Sequence, residues 1–161
     1  MNKIIKILIC LVLLFSCSFC FASVKDKVGY LICISVNKNT QKEDISKLIK
    51  EYNVKSFNLV GSWNSKEEVK DFIDFIKQES QNKELFIAVD QEGEINRLKF
   101  LKETSQSNTN VLEALFLSYN RGKSLRELGF NMVFSPVLDF SSNQDDYIYN
   151  RTFQKNKVDS I

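Results

Sequence analysis

The stretch ELFIAVDQEG, residues 84–93, shows how this chain is built. Its first six residues are mostly apolar, and polar side chains follow at once at Asp90, Gln91 and Glu92. A short apolar run that ends at polar residues and a glycine is typical of a buried strand followed by a loop. The sequence therefore predicts a strand over 84–89, with Asp90 at its carboxyl end.

Similar units lie on both sides of this strand. Strand-like runs are predicted over 28–36, 54–60 and 130–134, and helices over 42–52, 65–79 and 111–128. Ser65 is predicted to cap its helix in a capping box with Glu68, and Gly129 to end the last helix. The apolar face predicted for that helix comprises Leu112, Leu115, Phe116, Tyr119 and Leu125.

Alternating strands and helices indicate an α/β fold with a parallel sheet buried on both faces and right-handed crossovers. About four βα units can be counted. A closed (β/α)8 barrel needs eight units and usually about 200 residues or more. Two architectures are therefore open at this point: a small open α/β sheet, or the first half of a barrel.

The composition excludes several classes of function. The 161 residues include 22 Lys and Arg, 20 Asp and Glu, and no His, for a net charge of +2. Catalytic triads built on His, His-ligated metals and imidazole bases are therefore absent from this chain, and no metal or cofactor is expected. Nothing in the charge points to nucleic acid as a partner, because such proteins usually carry a strongly basic patch.

The first 22 residues have the pattern of a secretory signal peptide. Lys3 and Lys6 precede the apolar run over residues 7–15, and small residues follow, which predicts cleavage after Ala22 and an exported, periplasmic or secreted protein. Two alternatives remain: a lipoprotein anchored at Cys17, or a membrane anchor formed by an uncleaved signal. Cys33 follows this segment and is expected to be a buried, apolar-like residue.

Three segments together resemble a known family. They are IAVDQEG (87–93) followed by NRL (96–98), then LGFNMVFSPVLD (128–139), and then NRTF (150–153). Their order and spacing are similar to the N-terminal domain of glycoside hydrolase family 3, in particular its β-N-acetylhexosaminidases, over nearly all of residues 23–161. The family has a TIM barrel, so the resemblance implies the first half of a (β/α)8 barrel, an incomplete domain of about four units.

The resemblance also implies an activity and a site. Family members of this branch hydrolyse terminal N-acetylglucosamine from glycans or peptidoglycan fragments. Asp90, Arg97 and Arg151 match family residues that contact the sugar, whereas the nucleophilic Asp and the acid/base His have no counterpart here. The resemblance thus implies a carbohydrate substrate, no catalytic residue in this chain, and a complementary C-terminal half-barrel. Glu92 and Asp139 are interpreted as structural, with Asp139 bracing its loop.

Two departures from the family pattern affect these expectations. Glu94 stands where the family has a second glycine, which predicts backbone strain and a displaced Arg97. Gln154 replaces another glycine after Phe153. The leading hypothesis is therefore a hexosaminidase-type hydrolase, present as its N-terminal half and inactive alone. The alternatives are a non-catalytic sugar-binding or assembly module, or the product of a split or decaying gene.

Overall fold

The computed structural model describes residues 24–81, 84–105 and 110–152. The predicted signal peptide, Phe153 and Gln154 lie outside these residues. In chain order the elements are α1 (Val24–Leu31), β1 (Cys33–Val36), α2 (Lys42–Tyr52), β2 (Ser56–Leu59), α3 (Lys66–Glu79), β3 (Phe86–Val89), α4 (Val111–Leu128), β4 (Met132–Val133) and a 3-10 turn (Tyr149–Arg151). The predicted alternation of strand and helix is confirmed.

The four strands form one parallel sheet in the order β1-β2-β3-β4. Each strand pairs with the next in sequence, and each pair is joined by a helix, as in the first four units of a barrel. The fold is therefore α/β and corresponds to a half-barrel, which decides between the two architectures that the sequence left open.

One face of the sheet packs against the helices and forms the core. Alternate strand residues such as Phe57, Leu59, Ile87 and Val89 are buried there. They pack with apolar residues of α2, α3 and α4, among them Ile45, Ile49, Val69, Phe72, Ile73, Ile76, Leu125 and Leu128. This face carries the hydrophobic stabilisation of the fold.

The opposite face, which is the inner face of a barrel, is uncovered along β1 and at the start of β3, whereas Ser56 and Ala88 in its middle are buried. Successive strand residues point to opposite faces, so Cys33, Ser35, Asn58 and Phe86 lie on this side. Cys33, Ser35 and Phe86 are exposed. The expectation that Cys33 is buried is therefore wrong, because the strand presents it to the inner face and not to the helices.

The first predicted strand is shorter than the sequence indicated. Only Cys33–Val36 pair with β2, while Val24–Leu31 form α1. Because β2 begins at Ser56, residues before Cys33 have no strand partner. They fold back as a helix instead, and Gly29 packs so closely on the end of α2 that a Cβ there would lie 2.4 Å from the Tyr52 carbonyl oxygen.

Helices α2, α3 and α4 have the predicted limits, but α4 is only partly packed. The Ser65 hydroxyl accepts a hydrogen bond from the Glu68 N–H at 3.1 Å, and Gly129 ends α4 in a left-handed conformation. Leu125 and Leu128, near the end of α4, are buried. The first half of the helix has its apolar side chains exposed, namely Val111, Leu112, Leu115, Phe116 and Tyr119.

No helix among the described residues combines the length and apolar character that a membrane crossing requires.

The Asn131 side chain attaches the short strand β4 to β3. Its Oδ1 accepts the Ile87 N–H at 2.7 Å, and its Nδ2 donates to the Leu85 carbonyl at 2.6 Å. The Asn131 backbone N–H donates to the Ile87 carbonyl as well. Asn131 thus extends a two-residue strand by imitating a peptide group, which gives this motif residue a structural role.

Candidate active site

The site predicted from the sequence begins where β3 ends. The Asp90 carboxylate faces the Arg97 guanidinium, with Oδ2 and Nη2 separated by 3.5 Å. About a third of each side chain is exposed, 28% for Asp90 and 31% for Arg97. The structure therefore brings together two of the three predicted sugar-binding residues, and both remain open to solvent.

Gln91 holds the loop that places Arg97. Its side chain is fully buried, and its Oε1 accepts the backbone N–H groups of Arg97 at 2.9 Å and Leu98 at 3.2 Å. Its Nε2 donates to Asn96 Oδ1 at 2.7 Å and to Glu103 Oε1 at 3.0 Å. One amide thus satisfies two backbone donors and fixes residues 91–98 as a compact turn.

The loop also attaches to the end of β2. The Trp63 N–H donates to the Arg97 carbonyl at 2.8 Å, and the Lys99 N–H donates to the Trp63 carbonyl at 2.9 Å. Trp63 is itself buried against Phe72, with the ring centroids 5.0 Å apart. Arg97 is therefore anchored to the carboxyl ends of two neighbouring strands.

The expected strain at Glu94 is absent. Gly93 is the residue in the left-handed region, with φ of 109°, and a Cβ there would lie 2.4 Å from the Thr104 carbonyl oxygen. The backbone of Glu94 does not have a positive φ, and the residue is exposed. The required glycine has been retained, so the loss of the second one leaves Arg97 beside Asp90.

The third predicted residue, Arg151, pairs with a different carboxylate. Its Nε lies 2.7 Å from Glu92 Oε1, and Glu92 is 2% exposed while Arg151 is 29% exposed. Because Glu92 follows Asp90 by two residues, Arg151 lies at the same end of the sheet as Asp90. The interpretation of Glu92 as a structural residue agrees with this burial.

A second buried ion pair connects the loops after β3 and β4. Arg121 of α4 donates to Glu103 Oε2 from Nε at 3.0 Å and from Nη2 at 2.7 Å. Its Nη1 donates to the Ser135 hydroxyl at 3.1 Å, just after β4. Both charged side chains are nearly buried, 7% exposed for Glu103 and 11% for Arg121. Through Gln91, this pair is continuous with the Asp90 loop.

The assembled edge offers hydrogen-bond donors and acceptors. A partly exposed carboxylate can accept two hydroxyl protons, and a guanidinium fork can donate to hydroxyl or carbonyl oxygens. The site is therefore suited to binding a polyhydroxylated molecule. The described residues contain no group of three or more Cys, Asp or Glu placed to hold a metal ion.

The prediction for Asp139 is wrong. Asp139 is exposed, and its side chain bonds to none of the described residues, so it does not brace the loop.

Sequence reasoning identified the exposed residues of this edge and missed the buried ones that hold them. Gln91 stands in the motif over residues 87–93, but nothing in that motif distinguishes a buried amide from a solvated one. Glu103 and Arg121 lie 18 residues apart, on a loop and a helix. The sequence offered one signal for this pair: Arg121 interrupts the apolar pattern on the side of α4 that contains the buried Leu125.

Comparison with known proteins gives a family match over most of the chain. The family model described as the glycosyl hydrolase family 3 N-terminal domain matches residues 23–159. Comparison with curated proteins gives no match.

Several solved structures have a similar fold. One is a glycoside hydrolase family 3 β-N-acetylglucosaminidase from Paenibacillus sp. str. FPU-7, with a TM-score of 0.67, 24% identity and 83% of this chain covered. A β-N-acetylhexosaminidase from Beutenbergia cavernae has a TM-score of 0.67, 18% identity and 83% coverage. A family 3 glycosyl hydrolase from Mycobacterium smegmatis has a TM-score of 0.66, 24% identity and 81% coverage. The aligned region spans 28%, 45% and 41% of those chains, respectively.

Proposed function

Because this chain belongs to the glycosyl hydrolase family 3 N-terminal domain family, we propose that it is the sugar-binding half of a β-N-acetylhexosaminidase-type hydrolase. Its substrate would be a terminal N-acetylglucosamine on a glycan or a peptidoglycan fragment. The hexosaminidases among the structural neighbours support this choice within the family. Asp90, Arg97 and Arg151 would contact the sugar.

The observation that carries the proposal is the open Asp90–Arg97 pair at the carboxyl end of β3. Barrel enzymes form their active sites on this face. At 3.5 Å the pair is long for a charge-assisted hydrogen bond, which is usually about 2.7–2.9 Å. Both side chains can therefore exchange part of this contact for sugar hydroxyls without losing a strong bond.

We propose further that the catalytic groups come from a complementary C-terminal half-barrel. A retaining glycosidase needs a nucleophile and an acid/base on either side of the bond. The 161 residues contain no His to match the family's acid/base. The open β4 edge supports this proposal: a cavity of about 290 Å³ lies along it, lined by Leu125, Phe130 and Met132 among others. The first half of α4, from the same helix that lines this cavity, has exposed apolar side chains as well.

Sugar binding by the full chain tests the site. Saturation-transfer NMR should detect binding of N-acetylglucosamine to the wild-type chain. Asp90→Ala should weaken this binding by about 10- to 150-fold, which corresponds to the loss of one charge-assisted hydrogen bond. Asp71→Ala, which removes an exposed aspartate of α3, is the matched control and should bind like the wild type. Equal binding by the Asp90 variant, or no binding by the wild type, would contradict the proposal.

An activity assay tests whether the catalytic groups come from the complementary half and not from this chain. The purified 161-residue chain should release no chromophore from an aryl N-acetylglucosaminide, because the proposal assigns both reacting groups to the complementary half. Turnover that disappears in Asp90→Ala but survives in Asp71→Ala would show that this chain has its own catalytic groups. Sugar binding without turnover, even with the complementary half present, would favour a non-catalytic sugar-binding module.

Export is also proposed, from the sequence of residues 1–22. In an exporting bacterial host, the mature protein should begin at or near Ser23. Mass spectrometry of the purified protein measures this directly. A diacylated Cys17 would instead establish a lipoprotein, and an intact Met1 would contradict cleavage.

A further inference from the structure

Glu92 is a buried carboxylate that the proposed sugar contacts do not include. It is almost wholly buried, and its Oε1 accepts the Nε–H of Arg151 at 2.7 Å. Its second oxygen, Oε2, is also buried and has no hydrogen-bond partner among the described residues. An unpaired buried carboxylate oxygen costs free energy, so this arrangement needs a physical explanation.

Stability alone does not explain it. A buried ion pair often contributes no more than well-packed apolar residues of similar volume, because both charges must first be taken out of water. Here one oxygen remains unpaired after that cost. The pair is therefore better explained by what it does to the geometry of Arg151.

Both ends of the Arg151 side chain are fixed. Its backbone lies in the 3-10 turn, where the Arg151 N–H donates to the Ile148 carbonyl at 2.9 Å and the Thr152 N–H to the Tyr149 carbonyl at 3.2 Å. The far end is held at Nε by Glu92. Glu92 is in turn held by the hydrogen bond from its own N–H to the Ile95 carbonyl at 3.0 Å.

The choice of nitrogen matters. A contact at Nε uses the inner edge of the guanidinium group and leaves the outer nitrogens, Nη1 and Nη2, available. Neither of them bonds to a described residue, and the Arg151 side chain is partly exposed. A guanidinium group has five N–H donors in a rigid plane, so fixing Nε–H fixes the direction of the other four.

We propose that Glu92 is a positioning residue, which holds Arg151 through Nε so that its outer nitrogens are preset to donate to the sugar. This inference rests on the proposed function, because it assigns Glu92 a role in the binding site defined by Asp90 and Arg151. It adds a residue that acts through another and does not itself touch the ligand.

NMR of the arginine Nε–H groups tests this directly on the full chain. The Arg151 signal, assigned by its loss in Arg151→Lys, should be shifted downfield and exchange slowly with water in the wild type. In Glu92→Gln, which keeps the shape and removes the charge, it should move upfield and exchange faster. Glu94→Gln, an exposed neighbour in the same loop, is the matched control and should leave the signal unchanged.

Titration with N-acetylglucosamine supplies the functional measurement. Glu92→Gln should weaken binding roughly tenfold, and adding Arg151→Lys should weaken it little further, because the two residues act as one unit. Glu94→Gln should bind like the wild type. Unchanged affinity in Glu92→Gln, with the Arg151 signal altered, would overturn the positioning role while leaving the proposed function intact.

Two further outcomes separate the inference from the proposed function. If the wild-type chain binds no sugar, the proposed function fails, and the positioning role fails with it. If Glu92→Gln does not fold, the wild-type signal still decides: a rapidly exchanging Arg151 Nε–H at the position of a free arginine would overturn the inference without any variant.

Discussion

Two ion pairs beside the same loop differ in almost every physical respect. The Glu103–Arg121 pair is nearly buried, has two hydrogen bonds to one oxygen, and connects the loops after β3 and β4. The Asp90–Arg97 pair is partly exposed, long, and free of further side-chain bonds among the described residues. Gln91 lies between them and bonds to Glu103 and to the Arg97 N–H.

The difference indicates that the two ion pairs have different roles at this edge of the sheet. A buried, multiply bonded pair cannot exchange its partner without leaving a charge in the interior, so it holds geometry. An open pair loses little when solvent or a ligand takes the place of one partner. Removing each element of this edge in turn should therefore give effects of very different size on stability.

The largest effect is expected for Arg121→Met. It leaves the Glu103 carboxylate buried without its cation, which should lower the free energy of unfolding by about 3–5 kcal/mol. Urea denaturation followed by circular dichroism measures this loss. Arg126→Met, an exposed arginine in the last turn of the same helix, should change stability little. A loss below about 1 kcal/mol for Arg121→Met would mean that the pair does not hold the two loops together.

Gln91→Leu should have an intermediate effect. The apolar side chain fills the space but leaves the N–H groups of Arg97 and Leu98 without their acceptor, at a cost of about 1–3 kcal/mol. The same denaturation experiment applies, with the exposed Gln78→Leu of α3 as control. Equal stability of the two variants would show that the loop keeps its shape without the amide.

Asp90→Asn should change stability least among these three. An exposed pair contributes at most about 1 kcal/mol, so the unfolding midpoint should remain close to that of the wild type. Sugar affinity should nevertheless fall, because the neutral amide accepts hydroxyl protons less strongly. A stability loss as large as that of Arg121→Met would remove the distinction between the two pairs.

A smaller effect depends on pH and involves the pair that joins α2 to α3. Lys50 Nζ lies 2.7 Å from Glu79 Oε2. The interactions of the Glu79 carboxyl with Lys50 and Ser46 hold its pKa below its ordinary value. A lowered folded-state pKa stabilises the fold above the unfolded-state pKa, and the stabilisation disappears as the pH falls through the folded-state pKa. Glu79→Gln should therefore lower the melting temperature slightly near about pH 7, and its difference from the wild type should shrink as the pH falls. Glu67→Gln, which removes an exposed carboxylate of α3, is the matched control.

The sequence predicted the order of elements because the local signals were strong. The limits of Lys42–Tyr52 and Val111–Leu128 agree with prediction, and the Gly129 end and the Ser65 cap are where the residue types placed them. Residues 28–31 show where such reasoning fails. They have the side chains of a strand, but a strand needs a partner, and β2 provides only four residues.

The site shows the same limit. A family pattern located Asp90, Arg97 and Arg151 by position in the sequence, and the structure places all three at one end of the sheet. Their partners could not be predicted, because Glu92 and Arg151 are 59 residues apart and meet only once the sheet has formed. The expectation of strain at Glu94 failed for a related reason: a motif does not say which of two glycines has the left-handed backbone.

The exposed thiol of Cys33 is a site at which a spectroscopic reporter can be attached to the inner face of the sheet. The other three cysteines are Cys10, Cys17 and Cys20, so any product cleaved after Ala22 contains a single thiol. A fluorophore attached there would sit on an edge strand, on the side of the sheet that faces away from the helices. Its emission would change when another polypeptide covers that face, and a titration of such a polypeptide could be followed without altering any residue of the binding edge.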